Sequence, residues 1–170
     1  MLAKGHDFPK LTLVGVLGSD AALFAADWRA PERLFAQLMQ VSGRAGRAEH
    51  PGEVLIQTQY PDHPLYHAVG KHDYEGFAAS QLSERKQAGF PPYAYQAVLR
   101  AEAPEMAEAL KFLVAARALH LLSEHALVSV YDPIPMRMAR LANLERAQLL
   151  AESPSRSALQ AFLPRWRQTI

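Results

Sequence analysis

Leu11-Thr-Leu-Val-Gly-Val-Leu17 is a nearly unbroken apolar run of strand length. Such a run suits a strand buried on both faces, as in a parallel sheet. Helical spacing begins at Pro31 and Glu32, where a proline and an acid both suit a first turn. Leu34, Leu38 and Val41 line one face of that helix, and Gly43 is placed to end it. Glu53-Val-Leu-Ile-Gln-Thr58 predicts a second strand. Strand, helix, strand is the rhythm of an open α/β sheet with a right-handed crossover.

Two short helices are expected next, one after Asp62 and one after Asp73, each aspartate serving as N-cap. Tyr74, Phe77, Ala78 and Leu82 fall on one face of the second. Gly89-Phe-Pro-Pro92 is strong punctuation and predicts a domain boundary. Beyond it, Tyr95, Ala97, Leu99 and Ala101 alternate with Gln96, Arg100 and Glu102, the pattern of a half-buried strand. Pro104 opens a long helix with Met106, Leu110, Leu113, Val114 and Leu121 as its buried stripe. Leu127-Val-Ser-Val-Tyr131 reads as a strand closed by Asp132-Pro-Ile-Pro135, and Leu144 to Leu150 as another. Ser153 is expected to cap a last helix with Pro154 at its first position. Leu159, Phe162, Leu163 and Trp166 sit at helical spacing there, and Pro164 should end or kink it. The order β, α, β, β, α makes a small α+β sandwich.

Composition narrows the function classes. The 170 residues hold no cysteine, which excludes disulfides, thiolate metal sites and cysteine nucleophiles within this chain. No run approaches the ~18 apolar residues of a membrane span, and the first ten residues lack the apolar stretch of a signal peptide. No membrane partner is expected, and the lack of cysteine is compatible with the cytoplasm. Net charge is only +1, yet residues 137–170 carry Arg137, Arg140, Arg146, Arg156, Arg165 and Arg167 against Glu145 and Glu152. Arginine offers a planar fork of donors for phosphate or carboxylate; an ordinary solvated surface is the plainer explanation.

Gln40-Val-Ser-Gly-Arg-Ala-Gly-Arg47 is the most informative segment. Its glycines allow tight turning, and two arginines three residues apart leave one loop in similar directions. An arginine so placed can stabilise charge on a transferring phosphoryl group. A basic helix end with a glycine cap explains the same residues. Ala3-Lys-Gly-His-Asp-Phe-Pro9 precedes the first strand. Together these segments resemble the sixth and fifth motifs of superfamily-two helicases, which read Gln-x-x-Gly-Arg-x-Gly-Arg and Gly-x-Asp-x-Pro. Ala22-Leu-Phe-Ala-Ala-Asp-Trp-Arg29 and Gly52-Glu-Val-Leu-Ile-Gln-Thr58 narrow the likeness to the primosomal family of bacterial replication-restart helicases. Phe90-Pro-Pro92, Asp132-Pro-Ile-Pro135 and Pro154-Ser-Arg156 carry it into the second half.

The resemblance implies an α/β fold: the end of a RecA-like second helicase lobe over 1–60, a helical connector over 61–90, and an α+β C-terminal domain over 91–170. It implies a C-terminal part of an ATP-dependent DNA helicase that restarts stalled forks and starts primosome assembly. Arg47 would be the arginine finger, with Arg44 on nucleotide phosphates and Gln40 positioning the loop. Gly5, Asp7, Gly43 and Gly46 would border the nucleotide. Lys4 and His6 would couple nucleotide state to DNA, and Arg137, Arg140 and Arg146 would meet branched or forked DNA. Arg156 and Gln160 would receive the acidic tail of single-stranded-DNA-binding protein, and other primosome proteins would be partners. ATP and Mg²⁺ would act in the parent protein. Zinc would belong to it as well, but has no cysteine ligands here. No Gly-x-x-x-x-Gly-Lys-Ser/Thr loop is present, so the chain alone should not turn over ATP.

Two other patterns carry less. His63 and His67, four apart with Asp62 and His72 nearby, could hold a metal on a helix, but Pro64 between them fits a helix start. Gly15-Val-Leu-Gly18 is too lean for a dinucleotide loop. The competing function is a stand-alone, non-catalytic module that binds nucleic acid or protein.

Overall fold

The computed structural model describes residues 11–43, 52–121 and 126–170. The chain divides into two compact units, Met1–Glu84 and Arg85–Ile170. The first contains β1 (Leu13–Val16), α1 (Ser19–Leu23), α2 (Ala30–Ser42), β2 (Glu53–Ile56) and α3 (Pro64–Lys71), and most of α4 (Tyr74–Ala88). β1 and β2 pair in parallel, from Leu13 opposite Glu53 to Val16 opposite Ile56. Leu34, Phe35 and Leu38 of α2 are buried with Leu23, Leu65, Val69 and Phe77. Phe35 stacks on Phe77 with ring centroids 4.2 Å apart and planes 6° from parallel. An aromatic pair of this kind adds about 0.5–1.5 kcal/mol beyond its buried area, so α2 is fixed firmly against α4.

Several expectations change here. β1 is shorter than the apolar run, and among its residues only Val14 is buried, while Leu13 and Leu17 are exposed. A strand covered on both faces needs neighbours, and β1 pairs only with β2 among the described residues. β2 likewise stops at Ile56 rather than Thr58. The helix α1 was not expected. Gly43 ends α2, but at φ −70° and without the left-handed turn usual for a capping glycine. The cap of α3 is His63 instead of Asp62: its imidazole accepts the Leu65 N–H at 3.2 Å. Asp73 caps α4 as its sequence position suggested, accepting the Gly76 N–H at 2.8 Å. That helix is not short, at 15 residues.

The second unit places β3 (Tyr95–Ala103), α5 (Met106–Leu121), β4 (Ser129–Val130), β5 (Ile134–Leu141), β6 (Leu144–Ser153) and α6 (Arg156–Thr169) in one layered arrangement. β6 pairs antiparallel with β3, β4 and β5. The helices cover one sheet face, where Ala147, Leu149, Ala151 and Phe162 form the core with Leu113, Leu159 and Trp166. Alternation in β3 follows the sequence pattern: Ala97, Leu99 and Ala101 pack inward.

Several expectations change in this unit too. Asp132-Pro-Ile-Pro135 does not simply close a strand; Ile134 and Pro135 begin β5, a strand that was not expected. The strand before it is reduced to Ser129 and Val130, and β6 extends to Ser153. Ser155, not Ser153, caps α6, accepting the Ala158 N–H at 3.3 Å, while buried Ser153 belongs to β6. α6 continues through Pro164 to Thr169. In α5, Ala109, Leu113 and Ala116 make the buried stripe and Val114 is exposed; the Leu121 side chain lies outside the described residues. Small side chains on that stripe let the helix lie close to the sheet.

Candidate functional site

Parallel pairing decides where the motif segments emerge. The N–H of Glu53 donates to the carbonyl oxygen of Thr12 at 2.7 Å. The segment before β1 and the segment before β2 therefore enter at the same, N-terminal, edge of the strand pair. Of the expected nucleotide-side residues, Gln40 is exposed on α2 and Gly43 caps that helix, its N–H donating to the Met39 carbonyl at 3.1 Å. Lys4, Gly5, His6, Asp7, Arg44, Gly46 and Arg47 lie outside the described residues. Ser42 donates its hydroxyl to the Leu38 carbonyl at 2.8 Å, which ties the last turn of α2 to its buried part.

The opposite edge of the strand pair holds a polar knot that the sequence reading missed. Gly18, at φ +69°, turns the chain from β1 into α1. Asp20 then accepts the Thr58 hydroxyl at 2.5 Å and the Gln59 N–H at 2.9 Å. The Tyr66 hydroxyl lies 2.9 Å from Ser19 Oγ and 3.2 Å from the Asp20 carboxylate. Ser19 donates to the Gln57 carbonyl at 3.0 Å. The Thr58 hydroxyl, followed by the Gln59 N–H, holds the Asp20 carboxyl below its ordinary range. An Asp and a Thr each placed just beyond an apolar strand were the available signal. These bonds run between the segment after β1 and the segment after β2, so the knot fastens the two strand exits together.

In the second unit Arg137, Arg140 and Arg146 lie on strands. Arg146 faces Glu102 across the β3–β6 register, Nε to Oε1 at 2.9 Å. Arg140 approaches Glu145 at 3.8 Å. Arg137 is exposed on β5 and has no ion pair among the described residues. Arg156 opens α6, and Gln160 follows one turn later; both are exposed. A cation in a first helical turn opposes the helix dipole, so helix stability does not account for Arg156. Trp166 is buried, its indole N–H donating to the Ala116 carbonyl at 2.8 Å. It belongs to the core, as its spacing with Leu159 suggested.

His63 is occupied as a cap, and His72 holds the left-handed C-cap of α3 at φ 53°. Among the described residues no three His, Cys, Asp or Glu side chains converge on one point. With cysteine absent as well, the donor set does not fit a resident zinc ion. The motif residues supply guanidinium groups and glycines. That chemistry fits contact with an anionic phosphate, while the lysine loop that would hold a nucleotide is absent from the sequence. No described helix is long and apolar enough to cross a membrane.

A parallel strand pair followed in the chain by a helix-covered antiparallel sheet makes a mixed α/β protein. Residues 86–169 match the family model of the primosomal protein N C-terminal domain. Replication restart protein PriA of Haemophilus influenzae is 40% identical over 168 residues, covering 99% of this chain and 23% of that protein. The Synechocystis protein of the same name is 43% identical over 158 residues, 91% of this chain and 19% of its own length. That of Bacillus subtilis is 38% identical over 165 residues, 96% and 20% respectively. The chain belongs to this primosomal family, and it spans about a quarter or less of the length of these curated relatives.

Proposed function

We propose that the chain is the part of an ATP-dependent replication-restart DNA helicase that supplies the arginine-finger motif and a DNA- and partner-binding C-terminal domain. In this reading the first unit is the end of a RecA-like second lobe. The hydrogen bond between Glu53 and Thr12 carries the proposal. It supports the reading because the chain enters β1 and β2 from one sheet edge; in this reading the glycine-containing segments there face a triphosphate held by another lobe. Arg47 then places its guanidinium against the transferring phosphoryl group, and Arg44 contacts the neighbouring phosphates. ATP and Mg²⁺ would be held chiefly by upstream parts of the parent protein, with Gly5, Asp7, Gly43 and Gly46 letting the backbone approach. Lys4 and His6 would link that cleft to the DNA strand.

An arginine finger typically contributes about 10³–10⁵ in turnover, but only with the phosphates fixed opposite it. The 170 residues alone therefore give no DNA-stimulated ATP hydrolysis. A longer chain that includes the upstream nucleotide-holding loop hydrolyses ATP, and Arg47→Ala in it lowers turnover by about a thousandfold or more with the KM for ATP little changed. A silent Arg47→Ala in the long chain rejects the helicase reading and leaves a stand-alone binding module.

For partners, exposed Arg156 and Gln160 share one face of α6. The reading gives Arg156 the terminal carboxylate of an acidic tail from single-stranded-DNA-binding protein. Gln160 takes the tail's backbone. Branched or forked DNA is the nucleic-acid partner, and other primosome proteins assemble on the same molecule.

A further inference from the structure

β5 and β6 do not pair evenly. Pro135 faces Ala147 and Arg140 faces Glu145. Between those pairs, residues 136–139 of β5 stand opposite Arg146 alone. Three surplus residues thus arch away from the sheet. Bulges of this kind re-aim side chains and interrupt the ladder, so an uncompensated one costs stability. Arg137 and Met138 occupy the arch, and Met138 is 60% exposed. Arg140 closes it with a side chain 68% exposed, and its carboxylate partner sits at 3.8 Å, too long for a strong pair. The hairpin is completed by Ala142 and Asn143, both at positive φ.

Packing does not explain the arch, because the core of this unit draws nothing from 136–139. Its chemistry is two extended guanidinium groups around one flexible apolar side chain. That combination suits a nucleic-acid backbone: guanidinium to phosphate, thioether and methylene to sugar or to the edge of a partly unstacked base. The open sheet face nearby suits it less, since Glu102 and Glu152 there engage Arg146 and Gln96.

We infer that the bulged arm of β5, with Arg137, Met138 and Arg140, is the DNA-gripping element of this domain, bound to the phosphate backbone without base reading. The inference rests on the DNA-binding part of the proposed function and narrows it to one arch. The probe is a fluorescein-labelled forked duplex, titrated with the 170-residue chain by anisotropy over a range of salt. Each of Arg137→Ala and Arg140→Ala makes the plot of log affinity against log salt shallower by about one unit. Met138→Ala weakens binding about fivefold at every salt concentration and leaves the slope unchanged. Arg165→Ala, a cation elsewhere on α6, changes neither. A variant lacking residues 137–139 restores even pairing, keeps its far-ultraviolet circular dichroism and loses most of its affinity. If wild type binds the fork while the arm variants bind it equally well, this inference fails and the broader reading survives. An Arg165→Ala effect as large as that of Arg137→Ala overturns it too, by making the contact diffuse. If wild type does not bind the fork, the DNA-binding reading fails first.

Discussion

Trp166 and Ala116 are joined by an indole N–H to carbonyl hydrogen bond of 2.8 Å inside the second unit. The indole also stacks on Phe162, centroids 5.1 Å apart. One side chain thus ties α6 to α5 and sits in the core cluster that also holds Ala147, Leu149 and Ala151. Trp166→Phe keeps much of the apolar contact and removes the donor; the expected cost is about 1–2 kcal/mol. Trp166→Ala should cost about 3–5 kcal/mol. Urea unfolding followed by far-ultraviolet circular dichroism measures both, and a Trp166→Phe cost near zero would mean that the hydrogen bond contributes nothing.

Asp20 predicts an acid dependence for the first unit. Its carboxyl titrates below the ordinary 3.8 because Thr58 and the Gln59 N–H bond the ionised form. Folding is therefore favoured by this group above pH 3.8, and the benefit disappears as pH falls through the lower folded value. Hydrogen exchange at the Gln59 amide should accelerate across that acid window. Asp20→Asn should remove the pH dependence, since no ionised form remains to be favoured.

Tyr131 behaves in the opposite sense. Burial, then its hydrogen bond to Glu152, raises its hydroxyl above the ordinary 10.0. The stabilisation is complete below pH 10.0 and is lost as pH rises through the folded value. Spectrophotometric titration should show one tyrosine ionising late, and Glu152→Gln should bring it earlier.

Ala142 adopts φ 51° at the tip of the β5–β6 hairpin, a left-handed conformation that costs a non-glycine residue about 1–2 kcal/mol. Ala142→Gly should relieve part of that, raising the thermal midpoint of the second unit by a few degrees. A lower midpoint would show that unfolded-chain entropy outweighs the strain at this position.

Legibility in the sequence followed how much each residue pattern depended on neighbours alone. α2 was readable because Leu34 and Leu38 repeat on one face and Gly43 ends it. β3 was readable because its alternation is regular. α5 gave a helix and part of its face: Met106, Leu110 and Leu113 pack in or against the core, but apolar residues surround the helix and only contact with the sheet selects Ala109 and Ala116 over Val114. β5 was hidden by Pro135 and by the arch, which breaks the period of two; an edge strand tolerates the proline. Pro164 misled in the other direction. It sits on the exposed side of α6 while Leu159, Phe162 and Trp166 hold the helix in the core. At the candidate site, the glycine-arginine segment beyond Gly43 lies outside the described residues. The Asp20 knot was not legible in the sequence, because Asp20 meets Thr58 38 residues further on only after β1 and β2 align.

The narrow ribbon formed by β1 and β2 has a practical consequence. Leu13, Leu17 and Leu55 are exposed around it, and parallel strands are ordinarily enclosed within wider sheets. Unsatisfied backbone edges bordered by leucine invite strand exchange between molecules. Concentrated solutions of these 170 residues will drift toward oligomers through this ribbon, and solubility will improve when polar residues replace Leu13 and Leu55.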